Sequence, residues 1–181
     1  SAMTLPLPDI AGRYAGRTVA VVGNAANAAW QVRQIADGMA IIAVNRGVQH
    51  VAHHPALDCM VSLDANWGHA AKYATCPRIV GFDGCDHRHA YYYPAPHEVV
   101  QAGPSQVLHI RSNLITALRL AHRGGAAGVL LVGIDLPHYQ AHYNAPGIVA
   151  GVAQACAQLQ AAGLQVTWAN NESPASAEVA P

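Results

Sequence analysis

Short apolar runs alternate with polar segments closed by glycine along most of this chain. Thr18-Val-Ala-Val-Val22 is followed at once by Gly23-Asn24. Continuous apolar runs of this length suit strands buried on both faces, as in parallel sheets. Further runs predict strands over Met39–Val44, Cys59–Leu63, Arg78–Phe82, Val107–Ile110, Val129–Val132 and Gln165–Ala169. Helical patterns lie between them. Ala28–Asp37 is stopped by Gly38, Val48–Ala52 is short, and Trp67–Ala74 follows the third strand. Asn113–His122 places Leu114, Ala117, Leu118 and Ala121 on one face before Gly124-Gly125. Ile148–Ala162 is closed by Gly163.

Strands alternating with helices predict an α/β fold, a three-layer sandwich with a mostly parallel sheet. Residues 1–17 read as a loose lead-in, with Ser1-Ala2 ahead of Met3 resembling a cloning scar. Residues 18–173 form the expected single domain, with an irregular insertion or flap over 83–104, and 174–181 form a polar tail. No internal repeat is visible.

Composition narrows the function classes. The chain has 181 residues, 52% hydrophobic and only 11% charged, against about 25% charged in typical domains. Ten basic residues balance ten acidic ones, which argues against a nucleic-acid or anionic-membrane binder. So weakly charged a surface permits self-association into a homo-oligomer. The four cysteines are scattered, with no C-x-x-C pair, which points to a reducing, cytoplasmic setting. Thr4–Pro8 is too short and proline-broken for a leader peptide. No apolar run approaches the roughly 18 residues that span a bilayer.

In a parallel α/β sheet, ligands bind outside the carboxyl ends of the strands. Gly23, Asn24 and Asn27 follow the first strand, Asn45 the second and Asp64 the third. Ser112 and Asn113 follow Val107–Ile110, and Gly133 and Asp135 follow Val129–Val132. A glycine at such a turn lets backbone approach a ligand, and a helix start favours phosphate. Asn24 and Asn27 serve equally as turn and cap residues. Asp64 and Asp135 are placed to hold Mg²⁺, which uses few carboxylates together with substrate phosphates. No G-K-[ST] follows the loop, so it is not a Walker loop; with one glycine, and Asn45 where NAD favours an acid, it is not a dinucleotide fingerprint either.

The strand-G-N loop, the second strand ending A-V-N, S-L-D after the third, the S-N-L-I-T-A-L helix start and L-L-V-G-I-D-L fall in one order. Over about Thr18 to Ser173 that order resembles the Rossmann-like family of archaeal-type 6-hydroxymethylpterin diphosphokinases, also found in phages. More remotely it is similar to bacterial sialyltransferases that use CMP-sialic acid. The resemblance implies a nucleotide or sugar-nucleotide co-substrate. Gly23 and Asn24 would approach its phosphates, Asn45 the nucleotide or acceptor, and Ser112 and Asn113 the phosphates from a second loop. Asn27 and Gly133 belong to the same nucleotide-binding set. Asp135, with His142 or Tyr143, would line the reaction centre, and Asn171 and Ser173 resemble the family's closing motif. The family loop continues glycine-proline-serine after G-N, whereas this chain has Ala25-Ala26-Asn27.

Eleven histidines raise a metal reading. Cys85, His87 and His89 alternate and would share one face of a strand, but no fourth zinc ligand stands at a recognised spacing. Structural zinc is therefore not expected. His138 and His142 lie four apart, and His142 is the candidate general base. Tyr91, Tyr92 and Tyr93 would either stack on a base or sugar, or simply pack. Two functions follow: transfer of a glycosyl or (di)phosphoryl group from a nucleotide to a small hydroxyl acceptor, or a non-catalytic phage or accessory module that kept the fold and lost the chemistry.

Overall fold

The computed structural model describes residues 5–6, 10–62, 79–81, 90–92, 98–101, 104–110, 112–142 and 147–170. Among them stand β1 (Leu5–Pro6), β2 (Thr18–Val22), β3 (Ala40–Val44), β4 (Leu57–Val61), β5 (Ile79–Gly81), β6 (Ala90–Tyr92), β7 (Glu98–Gln101), β8 (Val107–Ile110), β9 (Gly128–Val132) and β10 (Gln165–Trp168). The helices are α1 (Ala28–Gln31), α2 (Asn113–Arg123), α3 (Leu136–His142) and α4 (Ile148–Ala161). Two 3₁₀ turns cover Val32–Gln34 and Asn45–His50. The Trp67–Ala74 helix expectation lies outside the described residues. No helix among the described residues is long and apolar enough to cross a membrane.

The main sheet runs β1-β6-β5-β4-β3-β2-β9-β10, and every neighbouring pair is parallel. This is a Rossmann-like α/β sandwich. The central strands explain themselves. Val19 to Val22 are 0% exposed, as are Ile41 and Ile42, so a strand covered on both faces needs an apolar residue at every position. α2 packs over β2, β3 and β4, with α4 beside it over β10. Leu114, Leu118 and Ala121 face inward as the helical spacing predicts, and the whole stretch Leu114–Leu118 is buried.

The structure differs from several expectations. The stretch 83–104 is not merely a flap, because it supplies β6 to the main sheet and β7 to a hairpin. Val107–Ile110 forms a strand, but β8 pairs antiparallel with β7 and stands apart from the main sheet. Its one-sided burial gives the reason: Val107 and His109 are exposed while Ile110 is buried. Such alternation fits a sheet wetted on one face, not a doubly covered strand.

The helix expected over Ala28–Asp37 shortens to α1 and one 3₁₀ turn, with Ile35 already extended (ψ 111°). A 3₁₀ turn eclipses residues three apart, and this aligns Gln31 and Gln34 so that both reach the backbone of Asn170. The short helix expected over Val48–Ala52 is a 3₁₀ turn that starts earlier, at Asn45, and ends at His50.

Within the lead-in, Ile10 and Tyr14 are packed into the core. Tyr14 is 1% exposed, and its hydroxyl donates to Asp58 Oδ2 at 2.5 Å. Arg13 grips the same carboxylate, with Nε 2.8 Å from Oδ2 and a second contact to Oδ1. Burial, then the neighbouring Cys59 and Asp58, pushes the Tyr14 phenol far above its ordinary range. This cluster fixes the amino edge of the sheet, opposite the candidate site.

Candidate functional site

β2 connects to β3 and β4 on one side, while β9 connects to β10 on the other. The order reverses between β2 and β9, which is where an open α/β sheet leaves a crevice for ligands. Beyond the strand ends the two chains stay together. Gly23 N–H donates to Val132 O at 2.8 Å and Ala25 N–H to Gly133 O at 2.9 Å. A Cβ on Gly23 would lie 2.5 Å from Ile134 Cδ1 and 2.7 Å from Gly133 O. The lack of a side chain at Gly23 is thus used by the protein's own chain crossing. Gly23 does not have positive φ. Gly133 does, at +64°.

Asn45 closes β3 at φ 48°, the one described non-glycine residue in the left-handed region. Asparagine tolerates this conformation through local hydrogen bonding. The 3₁₀ turn it starts lies across the end of β2, with buried Gly47 against the Val22 carbonyl. That turn carries Gln49 and His50 to Asn24, where Gln49 Nε2 donates to Oδ1 at 2.5 Å and His50 Nε2 lies 2.8 Å from the same oxygen. With Oδ1 engaged, the Asn24 amide is fixed and its NH₂ is the group available to a ligand. Burial lowers the His50 pKa, which favours the neutral ring. Arg46, on the same turn, is exposed.

Two glutamines lock the neighbouring loops. Gln31 is 3% exposed. Its Oε1 accepts from Gly133 N–H at 2.7 Å, and its Nε2 donates to Asn170 O at 3.0 Å. Gln34 exchanges two bonds with the Asn170 backbone, at 2.8 and 3.1 Å. The loops after β9 and β10 are thereby held to the segment after β2. Beside them, the Trp30 indole Nε1 is buried with no hydrogen-bond partner. No motif in the sequence marks Gln31, Gln34, Gln49 or His50; their one signal is position, shortly after β2 and β3.

Asn27 occupies the N-cap position of α1 without a side-chain cap bond. Four residues make too short a helix to present a dipole to phosphate. α2 is different. Its last turn lies at the amino edge, where Gly124 O accepts from Tyr14 N–H and Ala127 N–H donates to Arg17 O. Eleven residues cover about 16 Å, so Ser112 and Asn113 stand at the carboxyl edge. Ser112 Oγ accepts from Ile115 N–H at 3.4 Å as an N-cap.

Asp135 caps α3, its Oδ1 accepting from His138 N–H at 3.1 Å. His142 ends that helix, about 10 Å further along the axis, so Asp135 and His142 do not form a hydrogen-bonded pair. Asp64, Tyr143, Asn171, Ser173, Cys85, His87 and His89 lie outside the described residues. Among the described residues no group of three or more His, Cys, Asp or Glu is gathered to hold a metal. A separate groove of about 510 Å³ lies between the β7–β8 hairpin and α4, lined by Val100, Leu108, Gln140, Gly147, Val149 and neighbours, with no titratable side chain.

The chain matches no protein-family model and no curated protein. The functional reading therefore rests on the sheet edge itself. Asn24, Asn45, Gln49, His50, Gly133 and Asp135 come from the ends of three adjacent parallel strands. They supply amide donors, a ring held towards neutrality and one exposed carboxylate.

Proposed function

We propose that this protein binds a nucleotide or sugar nucleotide in the crevice between the carboxyl ends of β2 and β9, and transfers a glycosyl or (di)phosphoryl group from it to a small hydroxyl acceptor. The observation that carries the reading is the convergence of polar groups at the strand-order reversal, with the Asn24 amide fixed by Gln49 and His50. An amide NH₂, the cation of Arg46 and the start of α2 at Ser112 and Asn113 suit phosphate oxygens. The paucity of lysine and arginine favours a sugar nucleotide over a triphosphate. With a triphosphate donor, Mg²⁺ would be shared between Asp135 and the phosphates and would neutralise their charge. Asp135 fits that role with one carboxylate oxygen beyond the one capping α3. His142, exposed at the end of α3, is the proposed base for the acceptor hydroxyl. A cytoplasmic setting and a phage or host origin belong to the same proposal, as does self-association.

A non-catalytic binding module is the second reading. It is favoured by the filled space at Gly23 and by the separation of Asp135 from His142. Calorimetry over a panel of nucleotides and sugar nucleotides, followed by a turnover assay on the best binder, separates the two. Asn24→Ala should weaken that binding about ten- to a hundredfold, for loss of roughly 1.5–3 kcal/mol in a hydrogen bond to a charged group. Binding without turnover supports the second reading; no binding anywhere in the panel overturns both.

A further inference from the structure

β10 closes one side of the main sheet, and among the described residues it pairs with β9 alone. Gln165 N–H donates to Ala127 O at 3.1 Å, and Ala169 N–H donates to Leu131 O at 2.8 Å. Successive residues of a strand turn their backbone groups to opposite sides, so Gln165, Thr167 and Ala169 bond towards β9. Val166 and Trp168 therefore point both N–H and C=O out of the open edge. Such edges are ordinarily shielded by Lys, Pro or extreme shortness, because free backbone groups invite another chain. The far edge follows that rule, since β1 is two residues long and ends in Pro6. β10 does not. It reads Gln-Val-Thr-Trp, with Gln165, Thr167 and Trp168 exposed, and Trp168 is 49% exposed. The helix packed on it, α4, is equally bare of charge. From Gly147 to Asn170 there is no Asp, Glu, Lys, Arg or His.

We propose that β10 pairs antiparallel with β10 of a second copy, about a two-fold axis through Thr167, and joins two sheets into one. The outward groups set the register. Directly opposed residues of a hydrogen-bonded antiparallel pair exchange both N–H···O bonds, so Val166 lies opposite Trp168 of the second copy, and Trp168 opposite its Val166. A two-fold axis at Val166 or at Trp168 would leave the other residue of β10 opposite a position beyond the partner strand, so the Thr167 axis alone uses every outward group of both strands. The resulting cross-strand pairs are favourable ones, aromatic with β-branched on one face and threonine with threonine on the other. Charge points to a second copy rather than a different protein. A two-fold interface sets each residue against the same surface, and a charged strand would oppose like charges there. Here neither β10 nor α4 carries a charge to repel its own image or to select a partner of opposite sign. The exposed positions of α4 include Ala150, Ala153 and Ala157, which leave room for the second copy's helix beside the joined strands. A strand of four residues is a small contact, so the dimer forms reversibly, at the weak end of the interface range. This inference does not depend on the nucleotide reading.

The test is sedimentation equilibrium of the full chain under reducing conditions over a wide range of concentration. The parent should pass from monomer to dimer as concentration rises. Thr167→Lys sets two lysines against each other on the axis and should weaken dimerisation at least tenfold. Thr167→Val keeps a β-branched residue there and should dimerise within a few-fold of the parent. Thr167 is exposed, and circular dichroism in dilute solution checks that both variants fold. Cross-linking reads the register. Thr167 faces its own counterpart in a non-hydrogen-bonded pair, with Cα atoms about 4.5 Å apart, within disulfide reach. Oxidised glutathione should therefore link Thr167→Cys into a covalent dimer. Gln165→Cys stands about 13 Å from its counterpart in this register and should not link; the parent's own cysteines set the background. A parent that stays monomeric throughout overturns the proposal, and is the outcome expected if residues 171–181 or a different protein occupy the edge. Parent-like dimerisation of folded Thr167→Lys, or linking of Gln165→Cys as readily as Thr167→Cys, overturns it as well.

Discussion

Replacing Gln31 with leucine removes a buried amide while keeping most of its volume. Gln31 is 3% exposed and accepts the Gly133 N–H at 2.7 Å. Gly133 is itself buried, so its N–H loses its acceptor in a place closed to water, at roughly 1–3 kcal/mol. The bond to Asn170 O matters less, because Asn170 is exposed and its carbonyl also accepts from Gln34. The 3.5 Å contact to Ala169 O is at the limit of a hydrogen bond and adds little. Leucine offsets part of the loss by burying apolar surface. The net expectation for Gln31→Leu is about 2 kcal/mol of destabilisation. For a chain of this size that lowers Tm by about 4–8 °C. Urea unfolding reads it as a lower midpoint at unchanged slope. Gln34→Leu is the comparison. It removes two bonds to the same Asn170 backbone, but from an exposed residue, and should cost less than about 1 kcal/mol. If the two variants unfold together, or if Gln31→Leu matches the parent midpoint, the Gly133 N–H does not depend on Gln31 and the clamp is refuted.

Three further outcomes are expected. Gly23→Ala should destabilise by about 1–3 kcal/mol through overpacking against Ile134 and the Gly133 carbonyl; a parent-like melting temperature would contradict the tight crossing. Tyr14→Phe should cost about 1.5–3 kcal/mol, since it deletes a part-buried bond to the Asp58 carboxylate; urea unfolding measures this, and a neutral result would mean that Asp58 is satisfied without the Tyr14 hydroxyl. Burial lowers the His50 pKa, so between its folded value and the unfolded value of about 6.5 the unfolded chain binds more protons. Its contribution is therefore present above about pH 6.5 and lost as pH falls through the folded value. His50→Gln should flatten the rise in urea midpoint between pH 5 and 7.5, and an unchanged slope would argue against this assignment.

The sequence by itself determined the α/β sandwich and the positions of most central elements. Runs such as Thr18–Val22 and Val129–Val132 leave little choice, because an unbroken run of uncharged, mostly apolar residues is a property of the local stretch. The same holds for α2, whose Ser112 cap, apolar face and closing glycines all lie within one segment. Asn24, Asn45 and Asp135 follow β2, β3 and β9, and the parallel order of those strands puts their ends on one side. Partner choice was not legible. Whether β8 joins the main sheet or pairs with β7 depends on what covers each of its faces. That Gly23 lies against the Gly133 carbonyl depends on a strand more than a hundred residues away in sequence. The buried roles of Gln31 and Tyr14 are of the same kind. Each is a polar residue whose partners, Gly133 with Asn170 and Asp58, are brought near only when the sheet closes. Glutamine and tyrosine patterns carry no periodic signal, so only tertiary structure decided that these side chains are buried and what they hold.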